Sequence, residues 1–122
     1  MIKFVNVSKV YPNGAVALEN VNLEIATGEF VTLIGPSGAG KTTLTKMILA
    51  EEHSTEGTVL FENIDIAGFS RAETTQLRRR VGTVFQEFRL LSNKTAYENI
   101  AFAMEAAGKS DEEIVSDVPH VL

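Results

Sequence analysis

The stretch E29FVTLIGPSGAGKTTLTKMILA50 decides how this chain is read. Its first part, Glu29–Gly35, is a near-continuous apolar run, the pattern of a strand buried on both faces. After Gly35 the period changes. Leu44, Met47 and Ile48 fall at i, i+3 and i+4, one face of a helix. Between them lies GPSGAGKT, which satisfies G-x-x-x-x-G-K-[ST] with Gly35, Gly40, Lys41 and Thr42. A glycine-rich loop that joins a buried strand to a helix N-terminus is built to surround a phosphate.

Each residue type has a physical reason. Glycines let the backbone curl until successive N–H groups converge on one anion. A β-carbon at Gly38 or Gly40 would block that approach or demand a disfavoured φ. The helix that starts near Lys41 adds free amides and the positive end of its dipole. Lys41 is expected on the β- and γ-phosphates. The Thr42 hydroxyl is expected on Mg²⁺, which prefers oxygen ligands. Thr43 is expected on the α-phosphate side. The expected nucleotide contacts are thus Gly35, Pro36, Ser37, Gly38, Ala39, Gly40, Lys41, Thr42 and Thr43. With Gly near 7% of residues, a chance match in a chain this long is of order half a percent, so a mere flexible connector explains the loop poorly.

Outward from the loop, IKFVNVSK near the N-terminus reads as a strand, and Pro12, Asn13 and Gly14 as a turn. NVNLEI alternates, with Val21, Leu23 and Ile25 on one face, as in a half-buried antiparallel strand. TVLFENIDI and VGTVFQ read as further strands. Three helices begin with capping boxes: Ser70 with Glu73, Thr95 with Glu98, and Ser110 with Glu113. In the second, Tyr97, Ile100, Ala101 and Met104 share a face, and Gly108 suits its stop. Pro119 is expected to interrupt the last helix or to open another. The fold class is α/β, with an antiparallel portion at the front.

Composition sets the outer limits. The chain has 122 residues, 44% hydrophobic and 22% charged, enough for one domain with a modest core. It has no cysteine, so no disulfide or thiolate metal site. The net charge of −5 argues against general nucleic-acid binding. No signal peptide or stretch of about 18 apolar residues is visible, so a cytosolic chain is expected. His53 and His120 lack ligand-like spacing. Arg78, Arg79 and Arg80 read as a solvated helix end.

VSKVY, ALENVNLEI, GEFVTLIGPSGAGKTTL and VGTVFQ resemble, in order and spacing, the ATP-binding subunits of ABC systems. MIKFVNVSKVYPNG and RRRVGTVFQEFRLLSNKTAYENIAFAMEAAG are similar to the FtsE branch, the bacterial cell-division ATPases. The resemblance implies a P-loop NTPase fold with an antiparallel β-subdomain, a core sheet and flanking helices. It implies Tyr11 as the aromatic that stacks on adenine. It implies Gln86 as a catalytic residue that touches Mg²⁺ and the attacking water, beside Lys41. The segment Glu87 to Asn99, with Phe88, Leu90 and Leu91, would meet an integral membrane subunit, FtsX-like for this branch. A complete subunit would hydrolyse ATP, form a homodimer and lie on the inner face of the plasma membrane. Glu87 replaces the family's usual Asp, and Ser54 a common Pro.

No LSGGQ-like signature and no apolar strand ending in Asp-Glu occurs. Residues 1–122 therefore read as the N-terminal part of a single ATP-binding domain, with an incomplete core sheet. Such a chain is expected to bind ATP and Mg²⁺ without efficient hydrolysis. Exporter-type or amino-acid-importer-type subunits remain alternatives, as does a non-hydrolysing module that binds nucleotide or partner. A P-loop kinase fits less well, because the long β-rich segment precedes the loop.

Overall fold

The computed structural model describes residues 1–85 and 89–122. They form two compact units, Met1–Arg78 and Arg79–Leu122. The first is built on a four-stranded antiparallel sheet: β1 (Ile2–Val10), β2 (Val16–Ile25), β3 (Glu56–Phe61) and β4 (Ile64–Asp65), in spatial order β2-β1-β3-β4. α1 (Lys41–Ile48), a 3₁₀ turn (Ile66–Gly68) and α2 (Arg71–Arg80) complete the elements up to the unit boundary, which falls in the last turn of α2.

The sheet core depends on two asparagines. Strict alternation would place Phe4, Asn6 and Ser8 on one face of β1. Asn6 instead takes φ 49 at a register shift, and Val7 rejoins the face of Phe4. Phe4 and Val7 are accordingly 1% and 0% exposed. Asn20, at φ 46, does the same in β2 between Leu18 and Val21. Side chains take up the amides that the irregularity frees. Asn6 N–H donates to Asn22 Oδ1 at 2.9 Å, and Asn20 N–H to Ser8 Oγ at 3.0 Å. With Val59, Leu18, Leu44, Met47 and Leu77, these side chains form the buried core of this unit.

α1 ends on a residue the sequence did not mark. Ala50 takes the left-handed conformation (φ 50), with Ala50 N–H on Met47 O and Glu51 N–H on Lys46 O. Arg78 then donates to Leu49 O (2.9 Å) and Ala50 O (3.1 Å). It satisfies helix-end carbonyls with a cation, as the dipole favours. Arg79 donates to Ala106 O at 3.0 Å. The helix end is exposed as expected, and within it these two arginines also act as structural donors.

In the second unit, α3 (Ala96–Ala106) and α4 (Asp111–Val121) both start on complete capping boxes, as the sequence indicates. Gly108, at φ 88, closes α3: its N–H meets Glu105 O, and Lys109 N–H meets Met104 O. Ile114 and Val118, one turn apart on α4, are buried. Pro119 lies inside α4 and does not break it. Its missing N–H leaves the Val115 carbonyl without its helical partner, but only two helical residues follow to be disturbed.

Three expected strands differ. TVLFENIDI is a hairpin, because Glu62 and Asn63 both take positive φ (51 and 67) and turn β3 into β4. The run before the glycine loop joins no ladder among the described residues. Phe30 is 92% and Ile34 87% exposed. Residues 82–85 behave likewise, with Val84 98% exposed. Their composition is that of buried strands, but a strand forms only where another backbone completes its hydrogen bonds.

The capping boxes carry a pH dependence. Hydrogen bonding from Thr95 N–H, reinforced by Lys94, holds Glu98 at a pKa of about 2, against an ordinary 4.5. A hydrogen bond from Lys109, with Ser110 N–H, holds Glu113 at about 2. A depressed carboxyl stabilises the folded state above its unfolded pKa and loses that contribution as pH falls through the folded value. Helicity of the second unit is expected to decline between pH 4.5 and 2. The double variant Glu98→Gln/Glu113→Gln keeps an amide at each box but nothing to titrate. Far-UV circular dichroism should show a shallower acid loss for it; superimposable curves would refute the link.

Candidate functional site

The loop between Gly35 and Lys41 is exposed up to Gly40, which is buried. Gly38 and Gly40 take φ 82 and 85, a conformation that L-residues with a β-carbon disfavour. Gly40 is the N-cap of α1, and no side chain caps the helix there. Leu44 N–H, on Gly40 O at 3.0 Å, is the first α1 amide with a backbone acceptor. The amides of Lys41, Thr42 and Thr43 precede it without one among the described residues. Free amides at the positive end of a helix dipole form an anion site.

Lys41 turns back over the loop. Its Nζ donates to Gly35 O at 2.7 Å and to Pro36 O at 2.6 Å. Ala39 N–H meets Pro36 O at 3.3 Å, which tightens the same curl. Thr42 is exposed, and its hydroxyl has no partner among the described residues. Thr43 is buried, 8% exposed, and its Oγ1 lies 3.4 Å from the Tyr11 hydroxyl. Tyr11, where β1 leaves the sheet, is thereby brought to the first turn of α1, 32 residues later. Gln86 and Phe88 lie outside the described residues.

No group of three or more His, Asp or Glu that could hold a metal occurs among the described residues. A magnesium ion bridging phosphates needs no such cluster, since it keeps waters and takes few protein oxygens. The free Thr42 hydroxyl beside the loop fits that donor set.

Leu90, Leu91 and Tyr97 are exposed, at 67%, 37% and 38%. Asn99 shapes this segment. Its Oδ1 accepts from Leu91 N–H at 2.7 Å, and its Nδ2 donates to Leu91 O and Thr95 O at 3.2 and 2.9 Å. Nothing in the sequence marked that role, though an amide after a loop is a common staple.

Sequence reading also missed Lys9. It sits two residues before Tyr11, with its Nζ 5.1 Å from the centroid of that ring. Its position, two along the strand, was the available signal.

A glycine loop capped by a lysine at the start of a helix, beside an antiparallel sheet, defines a phosphate-binding α/β domain. The family model described as ABC transporter matches residues 18–121. The chain belongs to that family. It is 45% identical over 122 residues to the cell division ATP-binding protein FtsE of Bacillus subtilis, covering 100% of this chain and 54% of that protein. It is 43% identical over 107 residues to the methionine import ATP-binding protein MetN of Helicobacter hepaticus, covering 88% of this chain and 30% of that protein. Among solved structures, the ATP-binding cassette MJ0796, in a dimeric post-hydrolysis state with ADP and Pi, matches with a TM-score of 0.87 and 38% identity. That match covers 98% of this chain and 55% of the cassette. The chain thus spans about half the length of the FtsE relative and of the solved cassette. No helix among the described residues is long and apolar enough to cross a membrane.

Proposed function

We propose that this chain is the nucleotide-gripping part of an FtsE-like ABC ATPase that binds ATP with Mg²⁺ and powers an FtsX-like membrane partner in cell division. The observation that carries the nucleotide reading is the loop itself: three amides at the start of α1 with no backbone acceptor among the described residues, and the Lys41 ammonium turned back onto the Gly35 and Pro36 carbonyls. Residues Gly35 to Thr43 hold the phosphates, and Lys41 lies over the β- and γ-phosphates. Thr42, with Gln86, holds the magnesium ion, which neutralises phosphate charge when bound. Tyr11 supplies the stacking surface for adenine. Gln86 orients the attacking water.

Residues 1–122 make up the N-terminal portion of a single ATP-binding domain, and the unpaired apolar run before Gly35 fits a strand of a larger core sheet. The segment Glu87 to Asn99, apolar and exposed at Leu90 and Leu91, is the face for the membrane partner. Dimerisation, ATP hydrolysis and a place on the cytoplasmic face of the membrane belong to the complete protein. The 43% identity to a methionine-import subunit supports an importer as the second reading.

Calorimetric titration of the full chain with MgATP tests the central claim. One site is expected, with little or no phosphate release from the pure chain. Absence of binding at millimolar MgATP would refute the reading. Steady phosphate release would instead show that the grip alone suffices for turnover. Co-purification with an FtsX-like protein, lost on Leu90→Asp, separates the cell-division role from an importer role.

A further inference from the structure

We infer that Lys9 is a positioning residue for the base of a bound nucleotide: anchored by Glu52 and the His53 carbonyl, its ammonium takes one face of the Tyr11 ring and leaves the other to the base. The inference rests on the nucleotide reading above and assigns a role that the glycine loop does not contain.

The geometry accounts for all of the lysine's donors. Nζ donates to His53 O at 2.8 Å and pairs with Glu52 Oε2 at 2.8 Å. Its third N–H is left for the Tyr11 ring, whose centroid is 5.1 Å away, inside the range in which a cation is held by an aromatic face. The Lys9 side chain is only 13% exposed and that of Glu52 27%. An ion pair so enclosed holds its position better than a surface pair. Hydrogen bonding from Lys9 also holds the Glu52 carboxyl below its ordinary range.

The ring is fixed at a second point. Its hydroxyl meets Thr43 Oγ1 at 3.4 Å, in the first turn of α1. Glu52 and His53 follow the other end of the same helix. The clamp therefore spans α1: its N-terminal turn holds the hydroxyl, and the loop beyond its C-terminus holds the cation over the ring. The platform for the base and the cradle for the phosphates become one rigid piece. Since a base cannot stack through the ammonium, it has one face on which to settle. The cation also draws π-density toward itself, and the far face becomes a better partner for an electron-rich ring. A preorganised ring costs less to order when ligand arrives.

The test compares MgATP with magnesium tripolyphosphate, which fills the cradle but has no base. In the full chain, Lys9→Met is expected to weaken MgATP binding about five- to ten-fold, between the scales of an exposed and a desolvated cation–π contact, and to leave tripolyphosphate unchanged. Lys9→Arg should restore MgATP affinity to within about two-fold, since the guanidinium keeps the charge and the donors. Glu52→Gln should give a smaller loss of the same kind. Retained tripolyphosphate binding shows that the variants fold. Equal losses for both ligands would assign Lys9 a purely structural role and overturn the proposal. So would unchanged MgATP binding in Lys9→Met. If the unsubstituted chain bound neither ligand, the nucleotide reading itself would fall; if it bound both and the variants matched it, only the role of Lys9 would.

Discussion

Gly40→Ala is expected to lower the stability of the first unit by about 2–4 kcal/mol and to abolish measurable MgATP binding. Two costs combine at this position. The backbone is at φ +85, where an alanine pays about 1 kcal/mol or more. The added β-carbon would also lie 2.4 Å from Ala17 O and 2.7 Å from Leu18 Cδ2. One of these atoms belongs to the β2 backbone, which cannot step aside as a flexible side chain can. Either β2 shifts or the start of α1 lifts away from it. Lifting the helix moves the Lys41, Thr42 and Thr43 amides together, so the anion site goes with the packing. For a unit of this size the melting temperature should fall by roughly 10–25 °C. Gly38→Ala is the comparator. Its φ is +82, but nothing lies within 4 Å of the added carbon. It should pay only the conformational cost. If both variants melted alike, the docking of the loop on β2 would carry no energy.

The local chemistry of this protein was legible in the sequence, and the tertiary partnerships were less so. The helix over Lys41–Ile48 and the three capping boxes follow from side chains acting within four residues of themselves, and all are present. The strand character of β1 and the alternation of β2 were legible; their pairing came only with the structure. The bulges at Asn6 and Asn20 were not legible, because they exist only in the register of two strands. Phe30, Ile34 and Val84 show the opposite limit. Their apolar character records what the residues require, but a pattern cannot say whether another backbone is there to meet it. The turn at Glu62 and Asn63 was missed because Glu seldom adopts positive φ; the hairpin pairing of Phe61 with Ile64 imposes it.

At the site, the motif marked the cradle but not its supports. Gly35 to Thr43 could be read because a glycine-lysine loop of this pattern constrains many consecutive positions at once. Lys9 and Arg78 act on carbonyls 44 and 29 residues away, a distance no spacing rule covers. Both hold the chain just beyond the C-terminal end of α1, Arg78 at Leu49 and Ala50 and Lys9 at His53.

Lys41→Met should lower MgATP affinity about 100-fold while leaving the melting temperature nearly unchanged. The lysine makes two short bonds within its own loop, to Gly35 O and Pro36 O at 2.7 and 2.6 Å. A charge-assisted hydrogen bond contributes about 1.5–3 kcal/mol where water is excluded, and about 1.4 kcal/mol corresponds to a factor of ten in affinity. In the empty loop those bonds are exposed to water and stabilise little. Once a triphosphate enters, the ammonium exchanges carbonyl dipoles for full negative charges, and the balance shifts toward binding. The loss should therefore scale with phosphate charge: large for MgATP, smaller for AMP and absent for adenosine. Lys41→Arg should not restore it, because a planar guanidinium cannot replace a compact ammonium inside a curl closed by bonds this short. Retention of MgATP affinity within about three-fold in Lys41→Met would remove the lysine from the phosphate site and leave it only as a staple of the loop.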